Sequence, residues 1–424
     1  MKKLRILVTL LVTALALLSL ASTPALAGGH GTRPPTTGSV TFTLDAQVLD
    51  GGQQVVSVTL DTSRLKVRGS SLTTSTFGVH ARGTDPYGLD PATVFGTYDV
   101  DRTVTGVHLD RRGRIVIDLA YGFTTDGAFT FAWANDVGRN ILLDLTYTIT
   151  QNAPIMLKDG RSVTLASFSQ GKLVDPEVDA YRYGRSAGLN YRLYTPAHSA
   201  GRRPLIVWLH GGGEGGWAKS QEDVLPLVAN RGALGFSTAK AQRIFGGAYV
   251  LAPQATDYWL NDPAMGYSAA LRKLIDSVVK KYRIDTSRIS VVGASNGGYM
   301  SPQLAIDNPG YFAAVVPVAP VVEYGSTTML TDDELATLRG TPTWIVQAKN
   351  DPVVPFDANG QHMAEVIDTA IFSAYDEVIW DGVTYNGHWS WIYVARNDPR
   401  TDAGRHLWQW MARQHLPHPG HTQR

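Results

Sequence analysis

From about residue 180 onward, continuous apolar runs alternate with amphipathic ones, and that alternation narrows the choice of fold sharply. RPLIVWLH, GAYVLAP, RISVVGAS, AAVVPVAP and TPTWIVQA read as strands that are apolar along their whole length. Between them stand helix candidates such as GYSAALRKLIDSVVKKY, where Ala269, Leu271, Leu274, Ile275, Val278 and Val279 recur at helical spacing. A strand that is apolar on both faces must be covered on both. The pattern therefore predicts an α/β domain with a mostly parallel sheet flanked by helices.

Residues 39–151 carry a different signal. Short alternating runs, among them SVTFTLDAQV, RIVIDLAY and NILLDLTYTIT, are rich in Val, Ile, Thr, Phe and Tyr and are broken by Asp-Gly, Gly-Gly and Arg-Gly pairs. They predict a small all-β sandwich of immunoglobulin-like architecture. With 424 residues the chain has room for both domains. The expected division is 39–151 for the sandwich, 152–418 for the α/β domain and 419–424 for a frayed tail.

The front of the chain reads as an address. Lys2, Lys3 and Arg5 precede the apolar run Ile6 to Leu20, and Ala25-Leu26-Ala27 forms a small-residue cleavage site. Residues 1–27 are expected to be a signal peptide, 28–38 a flexible lead-in, and the mature protein to be secreted. No later run is long and apolar enough to span a bilayer. A net charge of +1 gives no reason to expect nucleic acid or an acidic membrane surface as a partner. With no cysteines the chain has no thiol nucleophile and no thiolate metal site. The three histidines of HLPHPGHTQR are too irregularly spaced to predict a metal site.

The chemistry centres on RISVVGASNGGYMSPQLAID. Here Gly293-Ala294-Ser295-Asn296-Gly297 falls between a buried strand and a helix. A nucleophile held at such a turn adopts a strained backbone, and the flanking glycines let strand and helix approach while the side chain points outward. A serine hydroxyl needs a base, and the base needs a carboxylate to orient it. His388, in the turn TYNGHWSW near the end of the chain, is the expected base. His362 and His406 lie in helical patterns, His30 and His80 in flanking regions, and His210 directly before a glycine loop. For the carboxylate, Asp351 follows the strand TWIVQA and precedes Pro352, with Asp357 as runner-up. The order Ser295, Asp351, His388 is that of the α/β-hydrolase fold. LIVWLHGGGEGGW supplies the oxyanion loop, with donors expected from the backbones of Gly212 or Gly213 and of Asn296. No Gly-Lys-Ser/Thr follows that loop to make it a phosphate cradle.

The stretch from about Ala180 to His415 resembles the secreted α/β-hydrolase esterases related to poly(3-hydroxybutyrate) depolymerases and feruloyl esterases, which border on the prolyl-oligopeptidase-like hydrolases. LNYRLYTP, LHGGGEGG, APQATDYW, GASNGGYM, NDPVVP and NGHWSW carry the resemblance. In some of these esterases an immunoglobulin-like domain precedes the catalytic one. Two departures stand out: relatives commonly have Gly-Glu-Arg-Gly where this chain has Gly213-Glu214-Gly215-Gly216, and Lys349-Asn350 precedes the acid where a His-Gly pair is often seen further upstream.

The expected reaction is hydrolysis of a carboxylic ester through an acyl-serine, with no metal or organic cofactor required. Trp217, Tyr258, Trp259, Trp389 and Trp391 stand near the motifs as candidate substrate walls, Trp259 and Trp389 foremost. Such walls suit a phenolic acyl group or a polyester chain. A peptidase uses the same triad and remains an alternative, as does a catalytically silent polymer-binding protein. EYGSTTMLTDDEL, between Val321 and Leu338, interrupts the sheet pattern and is read as a surface helix or a lid. Nothing in the sequence sets an oligomeric state.

Overall fold

The computed structural model describes residues 36–197 and 201–417. The expected signal peptide, residues 28–35 of the lead-in and the tail 419–424 lie outside the described residues.

In the N-terminal domain a five-stranded sheet, ordered Phe168–Val174, Val40–Leu49, Gly52–Leu60, Ile115–Leu119 and Val104–Leu109, packs on a three-stranded sheet of Asp144–Gln151, Phe77–Thr84 and Tyr98–Arg102. Alternate residues of Val40–Leu49 turn inward, so Phe42 and Leu44 meet Val58, Phe77, Ile117 and Tyr147 in one core. A further three-stranded sheet, Arg139–Leu142, Phe131–Ala134 and Val94–Phe95, extends from the sandwich toward the second domain.

The sandwich is larger at both ends than the expected 39–151. Thr36–Thr37, placed by sequence in the lead-in, pairs in parallel with Thr164 and Leu165. At the other end Phe168–Val174 pairs in parallel with Val40–Asp45, so strands expected in the α/β domain belong to the sandwich. The reason lies in exposure. Phe168–Val174 is an edge strand with no buried side chain, and it therefore shows no alternation to read. Asp175 then caps the short helix Pro176–Asp179 by accepting the amides of Glu177 and Val178, and the α/β sheet begins at Tyr181.

That sheet has eight strands: β1 (Tyr181–Ser186), β2 (Leu189–Tyr194), β3 (Arg203–Leu209), β4 (Tyr249–Gln254), β5 (Ile284–Ala294), β6 (Ala314–Val318), β7 (Trp344–Ala348) and β8 (Ile371–Tyr375). Their spatial order is 1-2-4-3-5-6-7-8, with β2 antiparallel to both of its neighbours, β1 and β4, and every other pair parallel. This is an α/β-hydrolase sheet, and β3 to β7 are buried almost throughout. The helix Tyr267–Lys281 covers one face with Leu271, Leu274, Ile275 and Val278, whereas Ala269 points to solvent. Because the parallel strands all end on the same edge, the loops after β3, β5 and β7 converge there.

Candidate active site

Ser295 sits at the end of β5 with φ 55° and ψ −114°, a conformation that L residues rarely adopt. What holds it there is the absence of neighbouring side chains. A Cβ on Gly293 would overlap the carbonyl of Gly297, and one on Gly297 would overlap the carbonyl of Leu209 at the end of β3. The helix Asn296–Ile306 can thus lie directly against the sheet, and the Ser295 amide bonds to the Val318 carbonyl of β6 at 2.9 Å. Gly297→Ala is expected to lower stability by about 3 kcal/mol or more, since the obstructing atoms are backbone and cannot swing away. Urea unfolding checks this.

Asp351 leaves the end of β7, and its side chain is fully buried. Its Oδ1 accepts the amides of Val353 and Val354, both at 2.9 Å, and Gln347 Nε2 reaches Oδ2 at 3.3 Å. His388 lies in the helical turn Gly387–Trp389, whose start Asn386 caps by accepting the His388 amide at 2.9 Å. The imidazole Nδ1 meets the Asp351 oxygens at 2.9 and 3.0 Å. Burial by itself would raise the Asp351 carboxyl. The bond to His388, its charge and the two amides outweigh burial and hold the carboxyl below its ordinary range. Asp357 is exposed, and the structure sets it aside as the acid.

Ser295, Asn296, His388 and Gly211, Gly212 and Gly213 all line one cavity of about 770 Å³. No Ser295 Oγ–His388 hydrogen bond is formed among the described residues; such contacts often tighten only with substrate in place. Gly212 and Gly213 lead the turn Gly212–Glu214, and Asn296 leads its helix, so their amides have no intrahelical acceptor. His210, set aside by sequence reasoning, anchors this loop. Burial pushes its pKa down to about 3, leaving a neutral ring whose Nδ1 donates to the Gly211 carbonyl at 2.6 Å and whose Nε2 accepts the Ala255 amide at 3.0 Å. Glu214, within the loop, is raised by burial to about 7 despite a bond from Asn140.

The departure at position 215 has a structural counterpart. A side chain there would strike the carbonyl of Asp257, and Arg139 Nε from the N-terminal domain lies 3.5 Å from where its Cβ would be.

Of the aromatic candidates, Tyr258, Trp389 and Trp391 do line the cavity. Trp259 and Trp217 do not. Trp259, the first residue of the helical turn Trp259–Asn261, is fully buried against His210 and Tyr267, with ring centroids 5.0 and 5.2 Å apart. Trp217 packs edge-on against Tyr87 of the sandwich at 5.2 Å. Much of the wall that sequence reasoning missed comes from the N-terminal domain: Phe95, Phe123, Phe129, Phe131 and Trp133. Phe123 touches the base loop directly, 5.1 Å from Tyr385 and 5.5 Å from Trp389 between ring centroids. The available signal was the run AFTFAWAN, whose aromatics outnumber what a small sandwich core takes up. Segment 321–338 forms the hairpin Glu323–Tyr324/Thr327–Thr328 and the short helix Asp332–Ala336. The side chain of Asn359 fixes the hairpin's root by accepting the amides of Val322 and Glu323, and Tyr324 reaches the cavity mouth.

Comparison with known proteins agrees with this architecture. Residues 42–164 match the esterase Ig-like N-terminal domain, and residues 271–352, which include Ser295 and Asp351, match the prolyl oligopeptidase family. The candidate esterase NocK of Nocardia uniformis subsp. tsuyamanensis is 30% identical over 178 residues, 42% of this chain and 46% of NocK. Feruloyl esterase B of Neurospora crassa is 32% identical over 134 residues, 30% of this chain and 42% of that protein. Each alignment thus spans less than half of the relative. A solved thermostable esterase superposes with a TM-score of 0.72 at 22% identity, over 88% of this chain and 99% of that one, so the shared fold extends across both domains. The chain thus has an α/β-hydrolase fold preceded by an immunoglobulin-like sandwich, with a segment similar to the prolyl oligopeptidase family in the first and a match to the esterase Ig-like N-terminal domain in the second.

Proposed function

We propose that this protein hydrolyses carboxylic esters through an acyl-serine intermediate. The observation that carries the reading is the convergence, on one cavity, of a strained Ser295, a His388 oriented by buried Asp351, and a glycine loop with free amides. Ser295 Oγ attacks the ester carbonyl while His388 Nε2 takes its proton. The oxyanion is received by the amides of Asn296 and of Gly212 or Gly213. His388 then delivers the proton to the leaving alcohol, and water repeats the attack on the acyl-enzyme. Asp351 keeps Nδ1 protonated and stabilises the imidazolium.

The wall favours an uncharged, bulky acyl or alcohol group. It presents aromatic rings from both domains, and its acidic members are either paired, as Asp50 is with Arg396 at 2.7 Å, or shifted toward the neutral form, as Glu214 is. Among the described residues that line the cavity, a free peptide amine would find no unpaired carboxylate to bind, which favours esters over peptides. Secretion is part of the proposal and rests on the basic, apolar and small-residue succession of residues 1–27.

A panel of aryl esters from acetate to octanoate, with methyl ferulate and a dipeptide anilide, tests the reading. Esters should turn over and the anilide should not. Preferential cleavage of the anilide would move the assignment to a peptidase.

A further inference from the structure

The oxyanion loop has little within it to fix its shape beyond two long backbone bonds, Glu214 N to Gly211 O at 3.4 Å and Gly215 N to Gly212 O at 3.3 Å. Gly211 to Gly216 offers a single side chain, that of Glu214, and a run of glycines loses more conformational freedom on ordering than other residues do. The catalytic domain supplies His210, Gln254, whose Nε2 donates to the Glu214 carbonyl at 3.0 Å, and the bond from the Gly216 amide to Ala255 O at 2.8 Å. The remaining anchors cross the domain boundary from two consecutive residues of the strand Arg139–Leu142.

Arg139 is nearly fully buried. Its Nε donates to the Gly216 carbonyl at 3.2 Å, its Nη2 to Asp257 Oδ1 at 2.5 Å, and its guanidinium lies 3.5 Å above the ring centre of Tyr258. Asn140 Nδ2 donates to Glu214 Oε1 at 3.2 Å and sits 2.8 Å from where a Cβ on Gly213 would be. One residue thus holds the far end of the loop and the next holds its turn. Tyr258, clamped by Arg139, in turn packs 3.1 Å from the Cβ position of Gly212.

From this geometry we infer that Arg139 and Asn140 of the immunoglobulin-like domain are positioning residues for the oxyanion hole, so that the loop reaches its working shape only with that domain docked. The inference rests on the serine-hydrolase reading above. Its reach is set by tolerance: a displacement of about 1 Å at a reacting group can cost on the order of 100-fold in rate.

The test uses the full chain and a probe that needs no knowledge of the natural ester. A fluorophosphonate reacts at Ser295 by forming an O–P bond and expelling fluoride, with His388 taking the hydroxyl proton, and its phosphoryl oxygen uses the same donors as an ester oxyanion. Labelling rates are measured by intact mass for wild type, Arg139→Gln, Asn140→Ala and the control Glu177→Gln. Glu177 pairs with Arg231 at 2.7 Å, and Arg231 also bonds the Val48 carbonyl, so the control loosens domain docking away from the loop.

The expected result is labelling slowed about tenfold or more in both loop-anchor variants and within about twofold of wild type in the control. On any ester that turns over, kcat should fall while KM moves less than about threefold, because donors to the oxyanion act in the transition state. Melting temperatures establish that each variant is folded, and Asn140, only half-buried, keeps the test open if Arg139→Gln does not fold. Unchanged labelling in the folded anchor variants overturns the inference. Equal slowing in all three variants also overturns it, by assigning the effect to docking in general. A wild-type protein that takes no label would remove the nucleophile assignment itself, a different and recognisable failure.

Discussion

Ser295→Ala is expected to fold like the wild type and to lose ester turnover by roughly 10⁶-fold, the scale seen when a serine nucleophile is removed. Alanine keeps the strained φ of 55°, so its melting temperature should stay close to that of the parent. Ser295→Gly should be equally inactive yet more stable by about 1 kcal/mol or more, since glycine adopts that conformation without a Cβ penalty. Measured together, kcat and thermal unfolding separate the hydroxyl's chemistry from the backbone's strain. An alanine variant with wild-type kcat would end the assignment.

Asp351→Asn carries the second large effect, a fall in kcat on the order of 10⁴-fold. An amide can donate to His388 Nδ1 and so favour the tautomer in which Nε2 bears the proton and cannot accept one from Ser295. The same carboxylate links stability to pH. Its pKa is depressed in the fold, so its contribution to stability is fully present above the unfolded value of about 3.9 and is lost as pH falls through the lower folded value. Comparing unfolding free energies at pH 6 and pH 3 should show a smaller acid loss in Asp351→Asn than in the wild type. Equal losses would mean that other carboxylates set the acid limit.

Much of the catalytic half was legible because its signals are local. The elbow is written in five consecutive residues, and its glycines are required by contacts that any strand–turn–helix of this kind must make. Asp351 and His388 were recognisable from the same logic, as polar residues at strand ends in an otherwise apolar pattern. Trp259 was misjudged because position after a strand fixes where a residue starts, not which way its ring turns; here it turns inward onto His210. The N-terminal share of the cavity was hidden for a different reason. Phe95, Phe123 and Trp133 meet the catalytic loops only through domain docking, and the aromatic run AFTFAWAN, the one local signal, does not say which distant surface it meets. The sandwich's true end escaped notice because its last strand is exposed and so carries no alternation.

That last strand also bears on how the protein is made. Phe168–Val174 lies beside Val40–Asp45, so the sheet is completed by a strand synthesised about 130 residues after the one it joins. Until residue 174 has left the ribosome, the flank of Val40–Leu49 is an open edge able to pair with another nascent chain. Closing so long a loop is slow compared with forming a hairpin. Aggregation during synthesis should therefore respond most to changes in Phe168–Val174, a segment remote from catalysis that touches no part of the site.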